Sequence, residues 1–143
     1  MATNNDNGLN SVERVLAAAD ALTAAADAAQ VWIKRQIDER AIQAAQAHEL
    51  FTAANQVRGM ANVIYTTAAA AVVKNLGESQ TTVLTVIKEA EKSIAKIRTA
   101  KNMIDLIADL IALAAAINAG KPGSIIATLK EVRNDVGVVT ASR

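Results

Sequence analysis

The spacing of apolar residues predicts a long central helix over 79–119. No Gly or Pro interrupts this stretch, and apolar residues recur in it at intervals of three, four or seven. Such intervals place side chains on one face of a helix. That face consists of Val83, Ile87, Ala90, Ile94, Ile97, Ile104, Ala108, Ile111 and Ala115. We therefore expect one continuous helix, capped by Ser79 and ended by Gly120.

Beyond Ile104 the apolar pattern widens to further faces of the same helix. The residues that we expect to face a partner subunit or a membrane are Ile104, Ile107, Leu110, Ile111, Leu113 and Ile117. A helix that is apolar on most sides has to be covered on most sides, by its own chain, by another copy or by lipid. This segment is the main reason to expect self-association.

A second long pattern without Gly or Pro runs over 11–58. Asn10 is a candidate N-cap for its first turn, with Glu13 as the capping-box partner. The charged cluster at 34–40 favours a bend, and Gly59 is the next expected break. Whether 11–76 is one helix or bends at either place is left open by the pattern.

The rest of the helical region is expected over 60–76, with Gly77 just past the helix end. A positive φ costs little there only for glycine. After Gly120, the sequence Lys-Pro-Gly predicts a turn, and Ser124 is a candidate cap for a short last helix. Three valines around Gly137 suggest an extended tail.

These patterns divide the chain into a polar, disordered arm over 1–9, a long-helix domain over 10–120, and a turn, short helix and tail over 121–143. Six Gly and one Pro in 143 residues are too few for a turn-rich β fold. The chain is also rich in Ala, the best helix former. We predict an all-α protein in which long antiparallel helices form an extended coiled-coil-like bundle.

The charge balance argues against nucleic acid and allows self-association. The net charge is +1, so the chain has no strong electrostatic attraction to polyanions. Lys88, Lys92 and Lys96 share one helix side, but Glu89 and Glu91 dilute it and no aromatic residues lie between them. A charge near zero leaves little repulsion between copies.

No residue pattern predicts catalysis, a metal or a cofactor. The single histidine, His48, has Ala45 three residues before it and Thr52 four residues after it. It therefore lacks the neighbours of the Glu-x-x-His and His-Glu-x-x-His metal motifs. The chain contains no cysteine, which excludes disulfides and thiolate chemistry. We expect a protein that is not an enzyme and has no small-molecule substrate.

Asp105 and Asp109 are the charged residues of the most apolar segment, and their spacing of four places them on one helix side. One interpretation is a narrow water-facing stripe. The other is a buried polar pair that fixes the register between helices or faces a pore. The spacing alone leaves both open.

Two segments raise the question of a membrane. Residues 59–73 contain no charge, and residues 102–120 contain only the two aspartates. A spanning helix needs about 20 mostly apolar residues, so neither segment predicts a permanent span. The polar N-terminus has no pattern of a cleavable signal peptide. The expected location is the cytoplasm, or outside the cell by a route without such a signal.

Long Ala-rich helices and a polar N-terminus resemble, in composition, bacterial assembly, secretion-apparatus and pore-forming helical proteins. The leading hypothesis is a non-enzymatic structural or interaction protein that assembles with itself or with a similar helical subunit. The alternative is a membrane-active pore-forming protein, such as a toxin subunit, which hides its apolar segments until it is triggered.

Overall fold

The computed structural model describes residues 7–141. In that part of the chain five α-helices pack on one another, and we number them in chain order. They are α1 (Val12–Asp38), α2 (Ala44–Ala71), α3 (Gln80–Ile94), α4 (Ala100–Ala119) and α5 (Pro122–Ala141). The predicted all-α class is confirmed. The extended coiled-coil form is not, because α4 contacts α1, α2 and α5 rather than one partner along a single seam.

The first two helices form an antiparallel pair. Polar contacts between them step forward along α1 and backward along α2, from Asp20–Tyr65 through Asp27–Arg58 to Gln30–Asn55. A short loop at 39–43 reverses the chain, and Arg40 adopts a positive φ of 56° there. The chain therefore bends at the C-terminal end of the charged cluster at 34–40, close to where the sequence favoured a bend.

The remaining helices complete a ring in the order α1, α2, α4, α5, α3. Helices α2 and α4 run parallel, since their N-terminal turns share one small pocket and Thr67 bonds Asn118 near their C-terminal ends (2.6 Å). α5 returns antiparallel to α4 and lies beside α3. α1 also touches α4 across the middle of the ring.

The predicted single helix over 79–119 is wrong, because it breaks at residues 95–99 into α3 and α4. Ser79 caps α3 as expected, and Thr99 caps α4 by accepting a hydrogen bond from the Asn102 backbone. Ile97 lies inside the break and is still buried. Its carbonyl accepts a hydrogen bond from the indole of Trp32 (3.0 Å). The apolar pattern continues through the break because the loop itself is part of the core.

The sequence left open a bend at Gly59, and the structure shows none, because Gly59 lies within α2 on its exposed side. Helix α2 ends at Ala71 rather than Leu76, and residues 72–79 form a loop. Gly77 has the expected positive φ, 83°, but within this loop rather than at the helix end. Ser11, not Asn10, is the N-cap of α1.

The loop over 72–79 pairs with the N-terminal segment, which explains why the helix stops early. The Val73 amide donates to the Leu9 carbonyl (2.8 Å), and the Gly8 amide donates to Glu78 (2.6 Å). Leu9 is completely buried. Residues 1–6 of the predicted disordered arm lie outside the described residues, whereas residues 7–9 belong to the packed structure.

The short last helix and extended tail are wrong, because α5 is a helix of 20 residues. Gly120 ends α4 with a φ of 66°, as expected, and the next helix begins at Pro122 rather than after Ser124. Proline suits the first helical position, where its missing N–H has no partner to lose. The buried side of α5 repeats at intervals of three, four and seven, at Ile125, Leu129, Val132 and Val139.

Candidate functional site

The structure divides the six residues of the predicted contact face into two groups. Four of them lie in the core with at most 1% of their surface exposed, namely Ile107, Leu110, Leu113 and Ile117. Their apolar surface is covered by the chain's own helices. Ile104 and Ile111 are only partly buried, and both line a surface cleft.

This cleft lies between the parallel helices α2 and α4 and has a volume of about 470 Å³. Its apolar wall consists of Ala53, Ile104, Ala108 and Ile111, and its polar rim of His48, Glu49, Thr52 and Gln56. The rim residues all come from one side of α2, where His48 and Glu49 are adjacent and Thr52 and Gln56 follow at the next turns. A second, smaller pocket of about 240 Å³ shares Glu49 and Ile104 with it, so the cleft continues toward the start of α4.

The apolar wall of the cleft continues along the outside of α4. Ala108, Ala112, Ala115 and Ala119 are exposed and follow one another at spacings of four, three and four. Together with Ile104 and Ile111 they form what we call the α4 surface. Between Ala108 and Ala119 this side of the helix carries no charge, whereas Lys101 and Asp105 are exposed at its N-terminal end. The surface extends over about 16 Å from Ala108 to Ala119.

The cleft combines an apolar wall with a polar rim that is open to water. His48, Glu49, Thr52 and Gln56 are all exposed, so they can exchange hydrogen bonds with water or with a docked partner. Among the described residues, no group of three or more His, Cys, Asp or Glu side chains could hold a metal ion. Enclosed ligand sites bury most of the ligand's surface.

Asp105 and Asp109 have different environments despite their common helix side. Asp105 is exposed and forms an ion pair with Lys101 one turn earlier (3.1 Å). Asp109 is half-buried and faces α5. Burial, a hydrogen bond with Asp135 and the negative charges of Asp135, Glu131 and Asp105 raise the pKa of Asp109 to about 7. The water-facing interpretation fits Asp105, whereas Asp109 belongs to a polar pair with another helix.

Asp135 was not among the residues that the sequence indicated. Its spacing along α5 resembles that of any solvent-facing acid, and nothing in the pattern relates it to Asp109 on a different helix. Only the antiparallel packing of α4 and α5 brings the two carboxyl groups together.

Within the described residues, α4 is the helix long and apolar enough to cross a membrane, with a mean hydropathy of 1.6. Its position in the fold gives another reason for this composition. α4 contacts three other helices, and eight of its side chains are buried. A core helix of this kind meets the same length and hydropathy requirements as a membrane span.

Comparison with models of protein families, with curated proteins and with solved structures found no match to this chain.

Proposed function

We propose that this protein is a non-enzymatic helical assembly protein, in which two copies pair through the α4 surface. The observation that carries the proposal is that the most apolar helix keeps one uncharged apolar face uncovered. Its other sides are enclosed by α1, α2 and α5. Covering that face with a second copy would remove the remaining exposed apolar surface of α4 from water.

The spacing of the α4 surface supports a second copy as the occupant. The four exposed alanines are separated by four, three and four residues, and this order reads the same in reverse. An antiparallel copy therefore presents matching positions, with Ala108 opposite Ala119 and Ala112 opposite Ala115. A two-fold symmetric contact needs such self-complementarity. Small side chains also allow the two helices to approach to about 8 Å.

The charges at the two ends of the α4 surface are complementary in the same arrangement. In the antiparallel pairing, Asp105 of one copy lies opposite position 122 of the other copy. Lys121 of that copy is therefore only one residue away from Asp105 along the helix axis. Both side chains are exposed, and the two-fold axis produces the contact twice. Exposed ion pairs contribute only about 0 to 1 kcal/mol each, so they favour an orientation more than they supply affinity. The net charge of +1 adds little opposing repulsion.

Sedimentation equilibrium of an Ala112→Glu variant tests this proposal. A glutamate in the middle of the α4 surface would bury an unpaired charge in each half of the pair, so association should weaken by about tenfold or more. Ala127→Glu makes the same change at an exposed alanine of α5 and should associate like the parent. Helical circular dichroism should be unchanged in both variants.

Two outcomes would contradict the proposal. The first is a parent protein that stays monomeric over the whole micromolar range. The second is an Ala112→Glu variant that associates as strongly as the parent. Dye release from anionic liposomes by the parent, with no dimer in solution, would favour the membrane-active alternative.

A further inference from the structure

The contact between α4 and α5 contains acidic side chains from both helices. Asp109 on α4 lies against Asp135 on α5, and Glu131 and Asp105 add negative charge on either side. Around them the two helices bury apolar residues, including Leu110 and Val139. A packed interface with several carboxylates is unusual, because each ionised group loses hydration and repels the others.

One buried acceptor atom in this contact lacks a hydrogen-bond donor. The Oδ2 atom of Asp135 is buried and has no hydrogen-bond partner among the described residues. An ionised carboxylate only accepts hydrogen bonds, so two ionised aspartates cannot satisfy each other. A protonated Asp109 supplies the donor that this position lacks. The contact then becomes an O–H···O hydrogen bond to a charged acceptor, which is one of the stronger kinds.

The other charged side chains around Asp109 and Asp135 are paired with each other or line different pockets. Lys101 lines a small pocket together with Asp105 and Asp135, but its ammonium is paired with Asp105 (3.1 Å). On the side of α5 that faces α3, Glu89 and Arg133 line a different pocket. On the side of α4 that faces α2, His48 and Glu49 line the cleft.

We propose that Asp109 and Asp135 form a proton-dependent latch between α4 and α5. When Asp109 is protonated, the latch holds α5 against the bundle. When Asp109 is ionised, its repulsion of the acids on α5 weakens the docking of α5 and increases local opening of this last helix. The latch uses the side of α4 that faces α5, so it does not depend on pairing through the α4 surface.

The direction of the pH effect follows from the difference between the docked and the unfolded states. In the docked state the pKa of Asp109 is raised from its ordinary value of 3.8 to about 7. The docked state therefore binds this proton more tightly than the unfolded chain does. The stabilising contribution is complete below the ordinary value, and it is lost as the pH rises through about 7. Alkaline solution is expected to loosen α5, and mild acid to secure it.

Hydrogen exchange of the α5 backbone amides tests the latch, with rates corrected for the intrinsic effect of pH. In the parent, protection of α5 should fall by about tenfold between about pH 6 and about pH 9, because local opening becomes easier. In Asp109→Asn the neutral amide can donate to Asp135 at every pH. Protection of α5 in this variant should therefore change less than about twofold over the same range.

Two further variants complete the experiment. Asp135→Asn should reduce the pH dependence, because it removes the hydrogen bond and the charge of Asp135 but leaves Asp109 buried, and it tests the pair from the other helix if Asp109→Asn does not fold. Asp105→Asn removes an exposed acid that is already paired with Lys101 and should keep most of the parent's pH dependence. The latch would be refuted by α5 protection in the parent that does not change with pH. It would equally be refuted if both Asp109→Asn and Asp135→Asn kept the parent's pH dependence.

Discussion

Two glycines show how the same residue type has opposite consequences at different positions. Gly77 has a φ of 83°, a conformation that residues with a Cβ rarely adopt. Gly59 lies within α2 on its exposed side, where a side chain would meet nothing within 4 Å. The sequence indicated the positive φ of Gly77 correctly, and it left open a bend at Gly59 that the structure does not show.

Substituting alanine at both positions should therefore change stability in opposite directions. Gly77→Ala should lower the free energy of unfolding by about 1 kcal/mol, because the left-handed backbone is strained with a Cβ although there is space for it. Gly59→Ala should raise it by about 0.5 to 1 kcal/mol, because alanine is the better helix former. Urea unfolding followed by circular dichroism measures both values. Equal effects of the two substitutions would mean that Gly77 does not require its positive φ.

At the residue scale, a contact of Trp32 accounts for the loop that divides the apolar pattern over 79–119 into α3 and α4. Its ring is buried, and its indole N–H reaches the carbonyl of Ile97 in the loop between α3 and α4. This carbonyl would otherwise be buried without a helical partner. Periodicity identifies Ile97 as a core residue but says nothing of a hydrogen bond from another helix, so the break could not be read from the pattern.

At the scale of elements, the sequence predicted helix faces better than helix ends. The buried residues of α4 follow the expected spacing, and the caps at Ser79 and Gly120 lie where the sequence placed them. The loop over 72–79 was missed because Val73 and Leu76 are as buried as helical residues. Their partner is Leu9, in a segment whose composition suggested a disordered arm. Tertiary contacts decided these boundaries against local propensity.

Helix α5 offers a test of its own continuity, because two adjacent valines have different environments. Val139 is 3% exposed and packs in the core, whereas Val138 is 54% exposed. Val139→Ala should lower the free energy of unfolding by about 1 to 2 kcal/mol, since it removes buried methyl groups. Val138→Ala should change it by less than about 0.5 kcal/mol. Thermal or urea unfolding of both variants provides the comparison.

A reversed or equal result for the two valines would contradict the helical packing of the last turns. It would instead agree with the extended tail that the sequence predicted. The pattern misled there because Gly137 interrupts a run of valines, and both features are more typical of strands and loops than of a helix.

At the scale of the whole molecule, the ring of five helices leaves less apolar surface for self-association than the sequence indicated. The sequence attributed the apolar surplus of 104–117 to a partner, and the structure places most of it in the molecule's own core. What is left uncovered is narrower, consisting of Ile104, Ile111 and four alanines. Ile104 and Ile111 belonged to the predicted set. The polar rim on α2 could not be predicted, because nothing in the sequence shows that α2 and α4 run parallel side by side.

The proposed latch and the proposed pairing through the α4 surface would respond to two different conditions, pH and protein concentration. The proposed pairing through the α4 surface would depend on protein concentration, whereas the docking of α5 is expected to depend on pH through Asp109 and Asp135. Acid is expected to strengthen the contact between α4 and α5. This is opposite to the release of apolar helices that an acid-triggered pore-forming mechanism would require.

Site-directed cross-linking tests the central claim, pairing through the α4 surface, most directly. The chain has no cysteine, so introduced thiols react without a background. A disulfide requires Cα atoms within about 7 Å. In the antiparallel pair, residue 108 lies opposite residue 119, whereas two copies of residue 108 are separated by about 16 Å along the helix axis. We expect an equimolar mixture of Ala108→Cys and Ala119→Cys to form the mixed disulfide, and neither variant alone to form a disulfide at a comparable rate. Rapid cross-linking of Ala108→Cys to itself, or no mixed disulfide at a concentration where the parent is a dimer, would contradict the proposed assembly.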